Sequence, residues 1–175
     1  MAKHLCKGQN RKNEMITIRA EKPDDQPGIQ EVDASATATL RRTYRPSQKA
    51  IANKARIRKQ TQRLVAVIND RVVGTVEYHI TDQSLGIMGL GVHQNFRMLG
   101  VARSLFCALE AIASKEDVAR IQLYTVKETG NVDVFKRLGF MVASEQEDEF
   151  SESDGFSKLT GVEMVMQLPV QGDCQ

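Results

Sequence analysis

The pattern of apolar residues changes abruptly in the middle of the chain, and this change limits the folds that the chain can adopt. Three apolar runs follow one another within 63–92, and each is short enough to be a strand. The first two flank the turn residues Asn69 and Asp70, which is typical of a hairpin. From residue 101 the apolar residues recur at helical spacing, at Leu105, Phe106, Leu109 and Ile112. The sequence therefore predicts three strands that lead, through a short loop, into an amphipathic helix.

The same signals predict the other elements. They comprise strands at 15–20, 120–126, 140–146 and 162–168 and helices at 23–40, 45–59 and 131–138. Ser47 is a suitable N-cap for the second of these helices. The order β-α-α-β-β-β-α-β-α-β-β predicts a mixed α/β fold (α+β mixed), with helices packed on the faces of one sheet.

The chain has 175 residues, which is enough for one domain with a substantial core. We expect a mobile basic tail at 1–14, a single domain at 15–170 and a C-terminal tail at 171–175. No apolar run approaches the roughly 20 residues needed to cross a bilayer, and the basic start lacks the apolar core of a signal peptide. A cytoplasmic protein is therefore expected. Cys107 lies within the amphipathic helix and is expected to be a buried structural thiol.

Charged residues are separated along the chain. Residues 41–63 contain nine Lys or Arg and no acid, whereas 145–154 contain six acids and no base. Two interpretations remain open. The segments are either two solvated surfaces, or the first is a basic rim that attracts an anionic ligand.

The loop before the amphipathic helix has the pattern Arg97-x-x-Gly100-x-Ala102. The start of a helix presents unpaired backbone N–H groups and the positive end of the helix dipole, which together bind anions. Gly100 and Ala102 are small enough for a ligand to approach the backbone. The pattern predicts a phosphate site, although three fixed positions alone are weakly specific.

The context of this loop resembles the GNAT superfamily of acyl-CoA-dependent N-acetyltransferases. The resemblance spans about 15–168 and includes the strand "LGIMGLGV", the R-x-x-G-x-A loop, Asn131 and the closing "LGF" at 138–140, in the order and spacing of the family. It implies a mostly antiparallel central sheet that splays between its fourth and fifth strands, with helices on both faces.

The resemblance also implies that acetyl-CoA is the cosubstrate and that no metal is required. Backbone amides of the loop would hold the pyrophosphate of coenzyme A, and backbone groups of the bulged fourth strand would contact the pantetheine arm and the acetyl carbonyl. Gly89 and Gly91 fit a bulged strand that a ligand approaches closely. Asn131 and Phe135 would contact the cofactor near the splay. The implied backbone contacts are those of Leu90, Gly91, Val92, Arg97, Met98, Leu99, Gly100, Val101, Ala102 and Arg103.

Acetyl transfer requires a neutral amine to attack the thioester, and an alkyl ammonium has a pKa near ~10.4, so a base must remove its proton. Glu77 is the candidate base, on the strand before "LGIMGLGV". Many relatives have a tyrosine acid where this sequence has Phe135, which cannot donate a proton. Tyr124 is the candidate substitute, and Tyr78 is a second one. Both catalytic assignments are hypotheses.

The acceptor site is expected beneath the first two helices. Tyr44, Arg45 and His79 are the candidate substrate-binding residues, and the arginine suggests a small primary amine that also carries an anionic group. An alternative is an acyl-CoA-binding sensor or structural module with weak or no catalysis. We expect no nucleic-acid or membrane partner, and we expect a homodimer formed through the closing strand "VEMVMQL".

Overall fold

The computed structural model of the protein describes residues 6–9, 15–57, 60–81 and 83–169. These residues form ten strands and four α-helices. The strands are β1 (Cys6–Gln9), β2 (Met15–Ala20), β3 (Arg45–Pro46), β4 (Gln62–Ile68), β5 (Arg71–Ile80), β6 (Leu85–Val92), β7 (Arg120–Val126), β8 (Met141–Glu147), β9 (Ser151–Glu152) and β10 (Thr160–Gln167). The helices are α1 (Gln26–Leu40), α2 (Gln48–Ile57), α3 (Val101–Lys115) and α4 (Asn131–Arg137).

Eight of these strands form one sheet in the order β1-β2-β4-β5-β6-β7-β10-β8. Every neighbouring pair in it is antiparallel except β6 and β7, which are parallel. The short strands β3 and β9 pair separately. The predicted mixed α/β fold with a mostly antiparallel sheet is confirmed, and β6 and β7 are its predicted fourth and fifth strands.

Helices cover both faces of the sheet, as predicted. The apolar stripe of α3 is buried against one face, and all four residues that the helical spacing indicated belong to the main core. On the opposite face, Ile29 and Val32 of α1 pack against Val65 and Val72. Burial of such side chains contributes about 1.5–3 kcal/mol each, so the two helices fix the sheet between them.

The parallel pair β6–β7 separates part of the way along. Only Leu85 to Ile87 pair with Ile121 to Leu123, and beyond that point β6 keeps β5 as its single neighbour among the described strands. The separation begins where Met88 adds one extra residue to β6 opposite β5, which is a β-bulge. The predicted bulge and splay are both present.

Several boundaries differ from the sequence predictions. Residues 6–9 fall in the predicted mobile tail, yet they pair with β2; the rest of that tail and residues 170–175 lie outside the described residues. α2 begins at Gln48 rather than at residue 45, because Arg45 and Pro46 pair with β9. Ser47 accepts a hydrogen bond from the Ala50 N–H, as the predicted cap requires.

Two further expectations meet a different arrangement. Cys107 is exposed on α3, so the prediction of a buried thiol is wrong: its position lies outside the apolar stripe. β10 lies inside the sheet between β7 and β8, so both of its edges are already paired and it cannot extend the sheet into a second copy. No helix in the described part of the chain is long and apolar enough to span a bilayer.

A buried ion pair anchors the start of α1 to the sheet. Arg19 donates two hydrogen bonds to Asp25, at 2.6 and 2.8 Å, and the Lys22 N–H donates a third to the same carboxylate at 2.7 Å. The hydrogen bond from Arg19 is the main reason that the pKa of Asp25 is lowered. The pair therefore fixes the entry of the chain into α1.

We expect Asp25→Asn to lower the free energy of unfolding by about 1–3 kcal/mol, because hydrogen bonds to a charged group are lost. The neighbouring Asp24→Asn, at an exposed position, should have little effect. Since the pKa of Asp25 is lower in the folded state, its contribution is present above about pH 4 and is lost as the pH falls through the folded-state pKa. Urea unfolding of both variants at several pH values measures this, and equal losses for the two variants would contradict it.

Candidate active site

The separation of β6 from β7 exposes backbone groups on the inner edge of each strand. In an extended strand, alternate N–H and C=O groups point to either side. Between Met88 and Val92 of β6, the N–H and C=O groups that face away from β5 have no strand to pair with among the described residues. The gap therefore offers donors and acceptors to a polar, extended ligand that lies between the strands. Leu90, Gly91 and Val92, the predicted contacts, line this stretch.

The loop that follows β6 delivers the chain to the start of α3. Met98 and Gly100 both have positive φ angles, of 62° and 85°, so the backbone twists sharply just before the helix. Glycine adopts such a φ without strain, whereas Met98 is strained there and is 84% exposed. The sequence pattern R-x-x-G-x-A thus corresponds to a left-handed residue at the N-cap of α3.

The N-terminus of α3 has the properties of an anion site. The first intrahelical hydrogen bond runs from the Ser104 N–H to the Gly100 carbonyl, and no side chain caps the helix. The N–H groups of Val101, Ala102 and Arg103 are therefore available. A side chain placed at Gly100 would meet nothing within 4 Å, so the approach to these donors is open.

Side chains of the loop divide into two groups. Val101 is buried in the core and so presents only its backbone to the site. Arg97 and Arg103 are exposed, and Arg97 Nε lies 3.5 Å from the Val92 carbonyl, close to the end of β6. Two positive side chains and a helix N-terminus suit a pyrophosphate. Coenzyme A fits this part of the structure.

The glycines of β6 have a different role from the expected one. A side chain at Gly91 would come within 3.2 Å of Ala36 and 3.3 Å of Val32, both in α1. Gly89 lies beneath the Glu77 carboxylate, whose Oε2 atom would be 3.7 Å from a side chain there. The lack of a side chain at Gly91 thus allows α1 to approach the strand, whereas a side chain at Gly89 would make only an ordinary contact with Glu77. Ligand approach had been the reason inferred from the sequence.

Glu77 is buried on β5, directly opposite Gly89, on the face that α1 covers. It accepts a hydrogen bond from Arg63 in the neighbouring strand, and Lys54 Nζ lies 3.6 Å from its other oxygen. These two cations balance the carboxylate. The predicted candidate base therefore lies beside the strand that flanks the gap, held in a fixed orientation.

Arg63 is the central residue of this cluster, and the sequence analysis missed it. Its guanidinium also lies 3.5 Å from Asp33 and 3.9 Å from Glu21. Burial disfavours its charge, but the hydrogen bond to Glu77 and the nearby carboxylates outweigh burial, so the pKa of Arg63 is raised. The sequence contained a signal for this ion pair, because Arg63 and Glu77 occupy directly opposite positions in the β4–β5 hairpin.

A polar cavity of about 250 Å³ opens beside this ion pair. Its volume suits a small molecule rather than a large apolar ligand. It is lined by Glu21, Gln26, Thr61, Gln62, Arg63 and Glu77.

Tyr124 occupies a different position from the one that a proton donor at the gap requires. It is the first residue of β7 after the last pair with β6, but its ring lies over Gly161 of β10, on the side away from the gap. Its hydroxyl donates a hydrogen bond of 3.1 Å to Asp148. Burial, followed by the charge of Asp148, strongly raises the pKa of Tyr124. Its proton is therefore held towards Asp148.

Phe135 and Asn131 lie on α4. The Phe135 ring makes edge contacts with Phe106 and Phe140, at centroid distances of 6.4 and 6.0 Å, and packs against the core. Asn131 is the first residue of α4, next to the end of β7. The structure thus explains Phe135 by aromatic packing, and it places Asn131 on the segment that follows the splayed strand.

The basic and acidic segments of the sequence meet each other. Arg45 lies 3.0 Å from Asp154 and 3.5 Å from Glu152, and Lys49 lies 2.6 Å from Glu149. Neither of the two interpretations foresaw this pairing. Arg45 therefore has acidic partners within the chain, in an exposed ion pair.

The two other candidate acceptor residues lie on the α1 side of the sheet. Tyr44 follows α1 and is partly buried, and burial together with the charge of Asp148 raises its pKa. The His79 ring lies against Gly86 of β6, and its Nδ1 atom is buried without a hydrogen-bond partner among the described residues. Within the described residues, no group of three or more His, Cys, Asp or Glu side chains is arranged to hold a metal ion.

The gap, the uncapped α3 and the bulged β6 together define a fold and site for binding an acyl-CoA thioester. Sequence comparison agrees: the profile of the acetyltransferase (GNAT) family matches residues 29–140, more than half of the chain. The chain therefore belongs to the GNAT acetyltransferase family and is an acetyl-CoA-dependent N-acetyltransferase. No curated protein sequence matches the chain.

Solved structures share the fold at low sequence identity. The ribosomal-protein-S18-alanine N-acetyltransferase of Escherichia coli is 16% identical, with a TM-score of 0.71 over 92% of this chain and 99% of that one. Nourseothricin acetyltransferase is 17% identical, with a TM-score of 0.64 over 88% and 99%. A GNAT acetyltransferase from Elizabethkingia anophelis with acetyl-CoA bound is 14% identical, with a TM-score of 0.64 over 87% and 98%.

Proposed function

We propose that the protein transfers the acetyl group of acetyl-CoA to a small primary amine by direct attack within a ternary complex. The observation that carries this proposal is the gap between β6 and β7, which opens beside the uncapped start of α3. Acetyl-CoA supplies an activated thioester. No covalent enzyme intermediate is needed, because the amine attacks the acetyl carbon itself.

Binding of coenzyme A is assigned to the loop and to both strand edges. The N–H groups of Val101, Ala102 and Arg103 would hold the pyrophosphate, with charge from Arg97 and the Arg103 side chain. Backbone groups of Leu90 to Val92 would hold the extended arm. A backbone N–H at Val92 would stabilise the negative charge that develops on the acetyl oxygen.

Glu77 is proposed to accept the proton of the acceptor ammonium. It lies against β6 at Gly89 and lines the polar cavity, so one carboxylate borders both the acetyl strand and the acceptor space. A cavity of about 250 Å³ favours a small amine. Among the structural neighbours, one is named for a ribosomal-protein alanine and another for nourseothricin, so the fold itself permits either class of acceptor.

The leaving thiolate has no evident proton donor among the candidates. Phe135 lacks a hydroxyl, Tyr124 donates to Asp148, and the Tyr78 hydroxyl donates to Gln62 at 2.9 Å. We propose that the thiolate leaves unassisted and takes its proton from water. The same observation favours the alternative of an acyl-CoA-binding module with weak or no catalysis, against which efficient turnover of an amine would argue.

The remaining proposals concern context. We propose a cytoplasmic enzyme that requires no metal and has no nucleic-acid or membrane partner. A homodimer remains a proposal, but β10 is excluded as a pairing edge, so light scattering would report an interface elsewhere.

The phosphate site is tested by two substitutions that differ only in charge. Gly100→Asn and Gly100→Asp are nearly equal in size, and both residues tolerate a positive φ. We expect the aspartate to weaken acetyl-CoA binding at least about tenfold relative to the asparagine, because its carboxylate repels the pyrophosphate. Calorimetry with acetyl-CoA measures both, and circular dichroism checks the fold. Equal affinities would place the pyrophosphate elsewhere, and no binding by the wild type would refute the proposed function.

A further inference from the structure

Asp148 is a buried carboxylate with an unused oxygen. It follows β8 and is 7% exposed. Its Oδ1 atom accepts hydrogen bonds from the Tyr124 hydroxyl, at 3.1 Å, and from the Phe150 N–H, at 2.8 Å. Its Oδ2 atom is buried and has no hydrogen-bond partner among the described residues. A buried, half-satisfied carboxylate is costly unless a cation or a donor completes it.

The acids around Asp148 already have cations of their own. Glu147 pairs with Lys158, and Glu149 pairs with Lys49. Among the described residues Asp148 is in no ion pair. Within this part of the chain, no Lys or Arg side chain therefore completes the Oδ2 atom of Asp148.

Aromatic side chains surround the same carboxylate. Tyr124 and Phe150 are in edge contact, with ring centroids 6.3 Å apart. The Tyr44 side chain is close enough for the charge of Asp148 to raise its pKa. A carboxylate among aromatic rings is the chemistry that binds an ammonium group, through a charged hydrogen bond and through cation–π attraction.

We propose that Asp148 binds a second cationic group of the acceptor, so that the preferred substrates are diamines rather than monoamines. The position of Asp148 favours binding of the second amine of the acceptor rather than of the amine that attacks the thioester. Tyr124 points from β7 across β10 to Asp148, so Asp148 lies on the far side of β7 from the gap. An amine held at Asp148 is therefore displaced from the gap, and the proposal requires the other end of the diamine to extend into it. This inference rests on the proposed function.

Access to Asp148 requires the segment from Tyr44 to Ile57, here called the strap, to lift. The strap is joined to the Asp148 loop by a two-residue strand pair and by a hydrogen bond of 2.8 Å from the Ser47 N–H to the Phe150 carbonyl. Its ion pairs through Arg45 and Lys49 are exposed and screened by solvent, so each contributes little. Lys49 also lies over the Phe150 ring, at 5.0 Å, and Lys54 lies 3.6 Å from Glu77. Binding at Asp148 requires these contacts to open.

The test compares 1,4-diaminobutane with butylamine, which has the same carbon chain but one amine. Calorimetry on the full chain with saturating coenzyme A gives the affinity of each without requiring turnover. The wild type should bind the diamine at least about tenfold more tightly, and Asp148→Asn should abolish this preference. Asp154→Asn, an exposed acid at the end of the same loop, should retain it. Affinity for acetyl-CoA should be unchanged in both variants.

Tyr44→Leu provides a second variant if Asp148→Asn does not fold. It keeps the apolar bulk and removes the ring and hydroxyl, so diamine binding should weaken severalfold while butylamine binding stays the same. Equal wild-type affinity for the two amines would overturn the inference, as would a preference that survives both substitutions. Butylamine acetylation without a diamine preference would leave the proposed function standing and refute only the role of Asp148.

Discussion

Arg63→Met should lower the free energy of unfolding by about 3–5 kcal/mol, because it removes the arginine that donates a hydrogen bond to a buried carboxylate. The side chains of Arg63 and Glu77 are 9% and 10% exposed. Lys54 Nζ lies 3.6 Å from the other oxygen of Glu77 but is itself half exposed, so it compensates only in part. Urea unfolding followed by circular dichroism measures the loss.

Two variants separate this effect from a general loss of positive charge. Arg45→Met removes an exposed arginine that also pairs with two acids, and it should cost far less than Arg63→Met because solvent screens the pair. Adding Glu77→Leu to Arg63→Met removes the buried carboxylate as well and should restore much of the stability. A loss from Arg63→Met as small as that from Arg45→Met would mean that the pair does not hold the strands together.

The sequence was sufficient for the features that depend on local pattern. Alternation and helical spacing located the hairpin β4–β5 and the buried stripe of α3, because each pattern is set by the geometry of a single element. The conformation of the loop at Arg97 to Ala102 is local in the same way: Gly100 before an amphipathic helix is left-handed at the N-cap of α3. These features needed no knowledge of distant residues.

The contacts between distant segments were beyond the reach of such patterns. Arg45 and Asp154 are 109 residues apart, and only the folded chain shows that they neutralise each other. A strand position likewise fixes the face that Tyr124 lies on, but the direction of its ring depends on Gly161 in another strand leaving room for it. Side-chain direction is therefore what a local pattern does not supply for Tyr124, whose hydroxyl donates to Asp148.

The glycines of β6 show a subtler limit. Gly91 was correctly identified as a place of close approach, yet the approaching group is α1. A glycine in the sequence indicates that space is needed at its position, but it does not indicate which group occupies that space. The structure resolves this because Ala36 and Val32 lie directly over the position.

Glu77→Gln should lower kcat by about 10²–10⁴-fold, the range that a general base contributes. The amide keeps the size of the side chain and an oxygen that accepts from Arg63. Arg63 retains Asp33 and Glu21 as charge partners, so the fold should survive. Acetylation rates at saturating acetyl-CoA, with butylamine as acceptor, give kcat.

The pH profile distinguishes a base from a counter-ion. The fraction of neutral amine rises as the pH approaches about 10.4, where a base is no longer needed, so the defect of Glu77→Gln should shrink with increasing pH. Asp33→Asn is the matched control, since Asp33 also contacts Arg63; it should leave kcat and its pH profile unchanged.

A defect that is constant with pH would indicate that Glu77 only orders the strands. A kcat within about threefold of the wild type would mean that water, and not Glu77, takes the proton, since acid–base catalysis contributes far more than that. Glu77 would then act only as the buried partner of Arg63. The effect of the pair would appear only as the large loss of stability in Arg63→Met.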